Sequence, residues 1–110
     1  MLPAGATRED GPFPTVVSIH GGPYWRFPDA VIVDWMLWGQ WLATAGYAVC
    51  MPNPRGSSGR GPEFAKMVLG NPGEGAWADI EAGLDELVRQ GVADADRLGI
   101  GGWSYGGYMT

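Results

Sequence analysis

The sequence contains a single cysteine among its 110 residues, which excludes an internal disulfide. Cys50 lies in the apolar stretch at residues 47–51, which has the composition of a buried strand. A buried cysteine behaves as a small apolar residue, whereas a reactive thiol needs a partly exposed, electropositive setting. We therefore interpret Cys50 as a core residue without a chemical role.

Basic residues are also few. Seven lysines and arginines stand against twelve acidic residues, a formal net charge of −5, and the sequence has no basic stripe of the kind that binds nucleic acid. No apolar run approaches the roughly 18 residues of a membrane-spanning helix, and the first ten residues do not resemble a signal peptide. These absences predict a cytoplasmic protein without a nucleic-acid or membrane partner, and they leave its oligomeric state open.

What the sequence does contain is an alternation of strand and helix patterns. Three short apolar stretches predict strands, at residues 15–19, 47–51 and 97–101. Helical spacing of apolar residues and local composition predict three helices, at residues 35–45, 63–68 and 77–90. The first strand is almost continuously apolar, as in parallel strands that are covered on both faces. The order of the elements predicts an α/β fold, with helices packed on a parallel sheet.

Acidic residues around the last predicted helix are interpreted as structural. Asp79 lies near the predicted start of the helix at residues 77–90, where a carboxylate favours the helix dipole. Asp94 and Asp96 are expected in the turn that follows this helix. None of the three is predicted to act in catalysis.

Three unusual loops follow the three predicted strands. They comprise His-Gly-Gly-Pro at residues 20–23, a Pro/Gly/Ser-rich segment at residues 53–61, and a glycine-rich segment at residues 102–107. In open parallel sheets, ligand sites form at the carboxyl ends of the strands. We therefore expect the three loops to meet on one rim and to form the functional site.

Ser104 lies in the last of these loops, in the motif Gly-Trp-Ser-Tyr-Gly. A serine in this pattern between a strand and a helix is typical of a nucleophile elbow, a sharp turn with strained backbone geometry. The turn has glycines at Gly102, Gly106 and Gly107. Because these residues have no side chains, neighbouring elements can approach the turn closely. The backbone amide of Tyr105 is the natural first donor to an oxyanion.

Three motifs together resemble the catalytic domain of the prolyl oligopeptidase family of serine peptidases, which includes dipeptidyl peptidases and acylaminoacyl peptidases. They are His-Gly-Gly-Pro at residues 20–23, Asn-Pro-Arg-Gly-Ser-Ser-Gly at 53–59, and Gly-Trp-Ser-Tyr-Gly-Gly-Tyr-Met-Thr at 102–110. The resemblance implies an α/β-hydrolase fold, with residues 1–110 forming the N-terminal part of the catalytic domain. It also implies hydrolysis of short peptides through an acyl-enzyme at Ser104, without a metal or cofactor.

The sequence departs from this family at three points. Nothing corresponds to the N-terminal β-propeller that many members carry. Several members place a tyrosine in the loop after the second motif, and its hydroxyl helps to bind the oxyanion. The counterpart here is Arg60, whose side chain could donate to an oxyanion but is longer and fully charged. An exposed loop arginine without a catalytic role is the alternative interpretation.

The third departure concerns the catalytic triad, which hydrolases of this fold carry in the order serine, acid, histidine. Residues 105–110 follow Ser104 and contain neither an acid nor a histidine. The sole histidine, His20, precedes the serine, so we expect it to shape its turn rather than to act as the base. The 110 residues alone are therefore expected to be inactive.

Three other interpretations are alternatives to a peptidase. An esterase or lipase of the same fold would keep the same elbow. A dinucleotide-binding domain is disfavoured because residues 99–104 fail the pattern G-x-G-x-x-G at its last position. The third alternative is a non-catalytic, truncated product of peptidase ancestry.

Overall fold

The computed structural model describes residues 1–31 and 38–110. The strands are β1 (Phe13–Ile19), β2 (Ala48–Cys50) and β3 (Ala93–Gly102). The helices are α1 (Gly39–Thr44), α2 (Pro62–Lys66), α3 (Glu74–Arg89) and α4 (Tyr105–Tyr108), preceded by a 3₁₀ turn at Arg8–Asp10. Each predicted strand is present, and the predicted order of strands and helices is confirmed. Residues 35–37 of the first predicted helix lie outside the described residues.

The described strands form one parallel sheet in the order β2-β1-β3. Thr15 of β1 pairs with Ala48 of β2, and Val16 pairs with Gly99 of β3. β1 is thus the central strand and is covered on both faces, since consecutive residues from Val17 onward are buried. This arrangement confirms the predicted α/β fold.

The start of β3 corrects the prediction that Asp94 and Asp96 lie in a turn. β3 begins at Ala93, which pairs with Phe13, but the next pair joins Thr15 to Leu98, so the register shifts between them. The Asp94 carboxylate caps this irregular stretch locally by accepting from the Asp96 amide at 3.0 Å. The sequence pattern missed the extension because the pairing with Phe13 is a contact between distant parts of the chain.

The position of Asp79 is a second correction. α3 begins at Glu74, whose amide donates to the Asn71 side chain at 3.1 Å, and not at the predicted residue 77. Asp79 therefore lies in the second turn, away from the helix end where the dipole acts. Its carboxylate instead pairs with Arg55.

The core lies between the sheet and the helices α3 and α4. Its buried residues come from β1, α3, α4 and their neighbouring loops: Val17, Ile19, Val68, Ala76, Ile80, Tyr105 and Met109. α3 and α4 share this core with β1, and Gly106 of α4 closely approaches the Ile19 carbonyl at the end of the central strand. Within residues 1–31 and 38–110, no helix combines the length and apolar character that crossing a bilayer requires.

Candidate active site

The loops that follow the three strands meet at one edge of the sheet, as predicted. The loop after β1 reaches the loop after β3, where a Cβ atom built on Gly21 would lie 3.4 Å from the Cβ of Ser104. It also reaches the loop after β2, where the His20 ring lies 2.9 Å from the Ser57 hydroxyl. The three motifs are therefore brought together into one site.

Ser104 has a backbone conformation that side chains rarely adopt. Its φ of 56° and ψ of −116° make it the one non-glycine residue with positive φ in the described part of the chain. The turn is held by hydrogen bonds from the Gly106 amide to the Trp103 carbonyl at 2.8 Å and from the Tyr108 amide to the Ser104 carbonyl at 3.0 Å. Strain of this kind persists only where the surroundings enforce it. The side chain is exposed.

The glycines around Ser104 differ in how strictly the packing requires them. A Cβ atom at Gly102 would lie 2.5 Å from the carbonyl carbon of Gly106, and one at Gly106 would lie 2.0 Å from the carbonyl oxygen of Ile19. At Gly107 the nearest atom would be 3.6 Å away, an ordinary contact. The predicted need for glycine is confirmed at Gly102 and Gly106 and is wrong at Gly107.

Tyr105 is the first residue of α4 and is buried. The amide of a first helical residue has no acceptor within its own helix, so it is open to an external one. The side chain is anchored, because its hydroxyl donates a hydrogen bond to the Pro72 carbonyl. Burial raises the pKa of this hydroxyl, which therefore keeps its proton.

His20 is buried and makes two contacts. Its Nδ1 lies 2.7 Å from the Gly21 carbonyl, and its Nε2 lies 2.9 Å from the Ser57 hydroxyl. Its ring packs edge-on against Trp25 and Phe27, and its pKa is lowered by burial, so the neutral form is favoured. These contacts support the predicted structural role of His20 in shaping its turn.

Further hydrogen bonds join the loop after β1 to the loop after β2. The Asn53 side chain accepts from the Phe27 amide at 2.8 Å and donates to the Phe27 carbonyl at 3.0 Å. The Ser58 amide donates to the Trp25 carbonyl at 3.0 Å. The two loops therefore form one packed unit. The sequence predicts that they share a rim, but it does not identify these contacts.

Arg60 lies on the exposed surface of this unit. Its guanidinium carbon is 5.2 Å from the centroid of the Phe64 ring, a cation–π contact. The sequence leaves two alternatives for Arg60, an oxyanion donor or a loop residue without a catalytic role. The contact with Phe64 explains the position of the side chain without a catalytic role. In the part of the chain that the structure describes, no three His, Cys, Asp or Glu residues lie close enough to hold a metal ion.

Comparison with known proteins adds to this geometry. A family model described as the prolyl oligopeptidase family matches residues 34–110. The chain is 41% identical over 108 residues to dipeptidyl aminopeptidase BIII of Pseudoxanthomonas mexicana, covering 94% of the chain and 14% of that protein. It is 32% identical over 110 residues to the acylamino-acid-releasing enzyme of Sus scrofa, covering 100% and 14%.

Solved structures agree with the sequence comparison. The fold superposes on Pyrococcus horikoshii acylaminoacyl peptidase with a TM-score of 0.82 and 36% identity, covering 99% of this chain and 17% of that one. The chain thus spans about a seventh of the length of the curated relatives named above.

Proposed function

Because the chain belongs to the prolyl oligopeptidase family, we propose that it carries the nucleophile of a serine peptidase and that Ser104 is this nucleophile. The observation that carries the proposal is the backbone of Ser104, which adopts a strained conformation between β3 and α4. A turn of this kind presents a serine side chain at the top of a parallel sheet. The exposed hydroxyl lies where the three strand-end loops meet.

The proposed reaction begins with attack of the Ser104 hydroxyl oxygen on the peptide carbonyl carbon. A bond forms between these atoms, the carbonyl electron pair moves onto the oxygen, and the serine proton passes to a general base. Collapse of the tetrahedral intermediate breaks the C–N bond, and the amine leaves with a proton. Water then hydrolyses the acyl-enzyme and restores the serine.

The negative oxygen of the intermediate needs backbone donors. The Tyr105 amide is the first, since it begins α4 immediately after Ser104. In this type of site a second amide comes from the loop after an adjacent strand. We assign this role to the Gly21–Gly22 turn, because a Cβ atom built on Gly21 would lie 3.4 Å from the Cβ of Ser104, which places the turn beside the serine.

We propose that the general base lies outside these 110 residues. His20 is the sole histidine of the sequence, and its two nitrogens contact the Gly21 carbonyl and the Ser57 hydroxyl. Neither nitrogen is directed to Ser104, so His20 does not fit the role. The triad acid and histidine are accordingly assigned to other parts of the intact protein.

The proposed substrates are short peptides. One relative is named a dipeptidyl aminopeptidase and another an acylamino-acid-releasing enzyme. The two substrate types differ at the N-terminus of the peptide, which is free in the first case and acylated in the second. An esterase with the same elbow is the remaining alternative. The ratio of amide to ester hydrolysis distinguishes a peptidase from an esterase.

Labelling of the intact protein with a fluorophosphonate tests the nucleophile. We expect mass spectrometry of the labelled peptides to place the probe on Ser104, and Ser104→Ala to abolish both labelling and turnover. Ser58→Ala is the matched control, a serine-to-alanine change in the neighbouring loop, and should be labelled like the unchanged protein. Labelling of the Ser104→Ala variant would remove Ser104 from the mechanism.

A further inference from the structure

We propose that Arg26 and Arg60 form an anion subsite beside Ser104, which binds a carboxylate on the leaving fragment of the peptide substrate. This inference rests on the proposed function of Ser104 and narrows its substrate class. The role is one of substrate binding, so it is separate from stabilisation of the oxyanion.

The two arginines lie on loops that a hydrogen bond joins. The Ser58 amide donates to the Trp25 carbonyl at 3.0 Å, so the residues that follow on each loop lie close together. The Arg26 side chain runs along Gly59, where an added Cβ atom would lie 2.9 Å from Nη1 and 3.0 Å from Cδ of Arg26. Gly59 directly precedes Arg60. The two side chains therefore arise from adjoining pieces of backbone, and both are exposed.

The pair lies within reach of a short peptide bound at Ser104. The ring of Trp25, the residue before Arg26, packs on the His20 ring with 5.6 Å between centroids. A Cβ atom built on Gly21, the residue after His20, would lie 3.4 Å from the Cβ of Ser104. An extended peptide covers about 3.3–3.6 Å per residue, so a leaving fragment of a few residues reaches from the serine to the arginines.

Both arginines lack the partners that the other basic side chains have. In residues 1–31 and 38–110, carboxylate or amide oxygens accept from five basic side chains, but not from Arg26 or Arg60. The five are Arg8, Arg55, Lys66, Arg89 and Arg97. The sequence has twelve acidic residues against seven basic ones, so two neighbouring cations without a counter-ion are unexpected. A bound anion would relieve the repulsion between them.

The carboxylate that lies nearest in charge to Arg60 is already taken. The pKa of Asp79 is lowered chiefly by its hydrogen bond from Arg55, and the charge of Arg60 contributes least. Both oxygens of Asp79 accept from the Arg55 guanidinium, at 2.9 Å and 2.6 Å. The guanidinium of Arg60 therefore keeps its hydrogen-bond donors for a ligand.

Arg60 is held in an orientation that suits a carboxylate. Its guanidinium carbon lies over the Phe64 ring, 5.2 Å from the centroid. The N–H donors of a guanidinium lie in its plane, so an aromatic ring over one face leaves them available. Their fork matches the two oxygens of a carboxylate.

Peptide chemistry identifies the anion. The C-terminal carboxylate is the one negative group that every unmodified peptide carries, and hydrolysis leaves it on the departing amine fragment. An aspartate or glutamate side chain in that fragment presents the same group. The N-terminus is cationic or acylated, so it does not fit a pair of arginines.

The test measures peptide binding to the intact protein with Ser104→Ala, so that no peptide is consumed. Calorimetry compares three versions of one peptide with a glutamine after the scissile bond: the free acid, the carboxamide, and the carboxamide with glutamate in place of that glutamine. We expect at least one charged version to bind roughly 10-fold more tightly than the uncharged carboxamide, and less so at high salt. The version that binds more tightly identifies the C-terminus or the side chain as the source of the carboxylate.

Substitution of both arginines should remove this preference. In the double variant Arg26→Gln, Arg60→Gln, the charged peptides should bind as weakly as the carboxamide, whose own affinity should change little. Arg60→Lys keeps the charge without the fork and should retain part of the preference. Arg8→Gln is the matched control, an exposed arginine in the turn before β1, and should keep all of it. Equal binding of the three peptides before substitution would overturn the proposal, and so would a preference that survives the double variant.

Failure of the inference is distinguishable from failure of the proposed function. If the fluorophosphonate does not label Ser104 in the unchanged protein, the proposed function is wrong and the inference falls with it. If Ser104 is labelled and the double variant still prefers the charged peptides, only the anion subsite is wrong.

Discussion

The Asp79 carboxylate accepts three hydrogen bonds from Arg55. The Arg55 amide donates at 2.8 Å, its Nε at 2.9 Å and its Nη2 at 2.6 Å. Gly75, one turn before Asp79 on α3, makes room for the arginine, since a Cβ atom there would lie 2.8 Å from Arg55 Cδ. The pair ties the loop after β2 to α3 and so supports the rim on which Ser104 lies.

Substitution of Asp79 by asparagine should destabilise the protein. Loss of the charge weakens a bidentate pair and a bond from a backbone amide, for which we expect about 1–2 kcal/mol at pH 7, given that both side chains are about one-third exposed. Urea unfolding of the intact protein measures this difference. Asp85→Asn, an exposed change on the same helix, should have little effect. Equal stability of the two variants would show that the pair contributes nothing.

The same pair predicts a pH dependence of stability. The hydrogen bonds from Arg55 hold the pKa of Asp79 below its ordinary value of 3.8. A carboxylate whose pKa is lower in the folded state stabilises the fold above the unfolded pKa, and this contribution is lost as pH falls through the folded pKa. The stability difference between the unchanged protein and Asp79→Asn should therefore be constant above pH 5 and shrink below about pH 4. A difference that does not change with pH would contradict the lowered pKa.

Gly106 and Gly107 offer a matched test of the elbow. Gly106→Ala should destabilise by about 3 kcal/mol or more, because the new methyl group would meet the Ile19 carbonyl and backbone must move. Gly107→Ala has room and lies in α4, so its stability should change by less than about 1 kcal/mol. Thermal unfolding and fluorophosphonate labelling of both variants measure the effect. Similar behaviour of the two would mean that the close approach of α4 to β1 is not required.

Arg60→Ala should lower the turnover rate by less than about 10-fold. The Arg60 side chain is exposed and contacts the Phe64 ring, as expected of a loop residue without a catalytic role. Loss of a true oxyanion donor lowers the turnover rate by roughly 100-fold or more. Steady-state kinetics with a peptide amide distinguish the two roles. A loss of roughly 100-fold in kcat with unchanged KM would place Arg60 in the oxyanion site instead.

The 110 residues expressed alone should not hydrolyse a peptide amide, because positioned proton transfer needs a base and His20 is held by other partners. The intact protein, assayed in parallel, should be active. Hydrolysis by the 110-residue chain that disappears in its Ser104→Ala variant would show that a base exists within these residues.

Local sequence patterns determined the order of elements and the type of turn at Ser104. The apolar run of β1 and the glycines at 102 and 106 are properties of short segments, so they could be interpreted without knowing what lies nearby. The same patterns led to the family and, through it, to Ser104 and Tyr105 as proposed site residues. They could not distinguish Gly107 from Gly106, because only packing against the Ile19 carbonyl makes the difference.

The tertiary structure alone decided which distant residues meet. His20 and Ser57 are 37 positions apart, and Arg55 and Asp79 are 24 positions apart, so no local periodicity relates the members of either pair. Asp79 was assigned to a helix end from its position in the sequence, yet its partner is an arginine on another loop. The parallel sheet brings such loops to one edge, and their side-chain contacts depend on how β1, β2 and α3 pack rather than on any one segment.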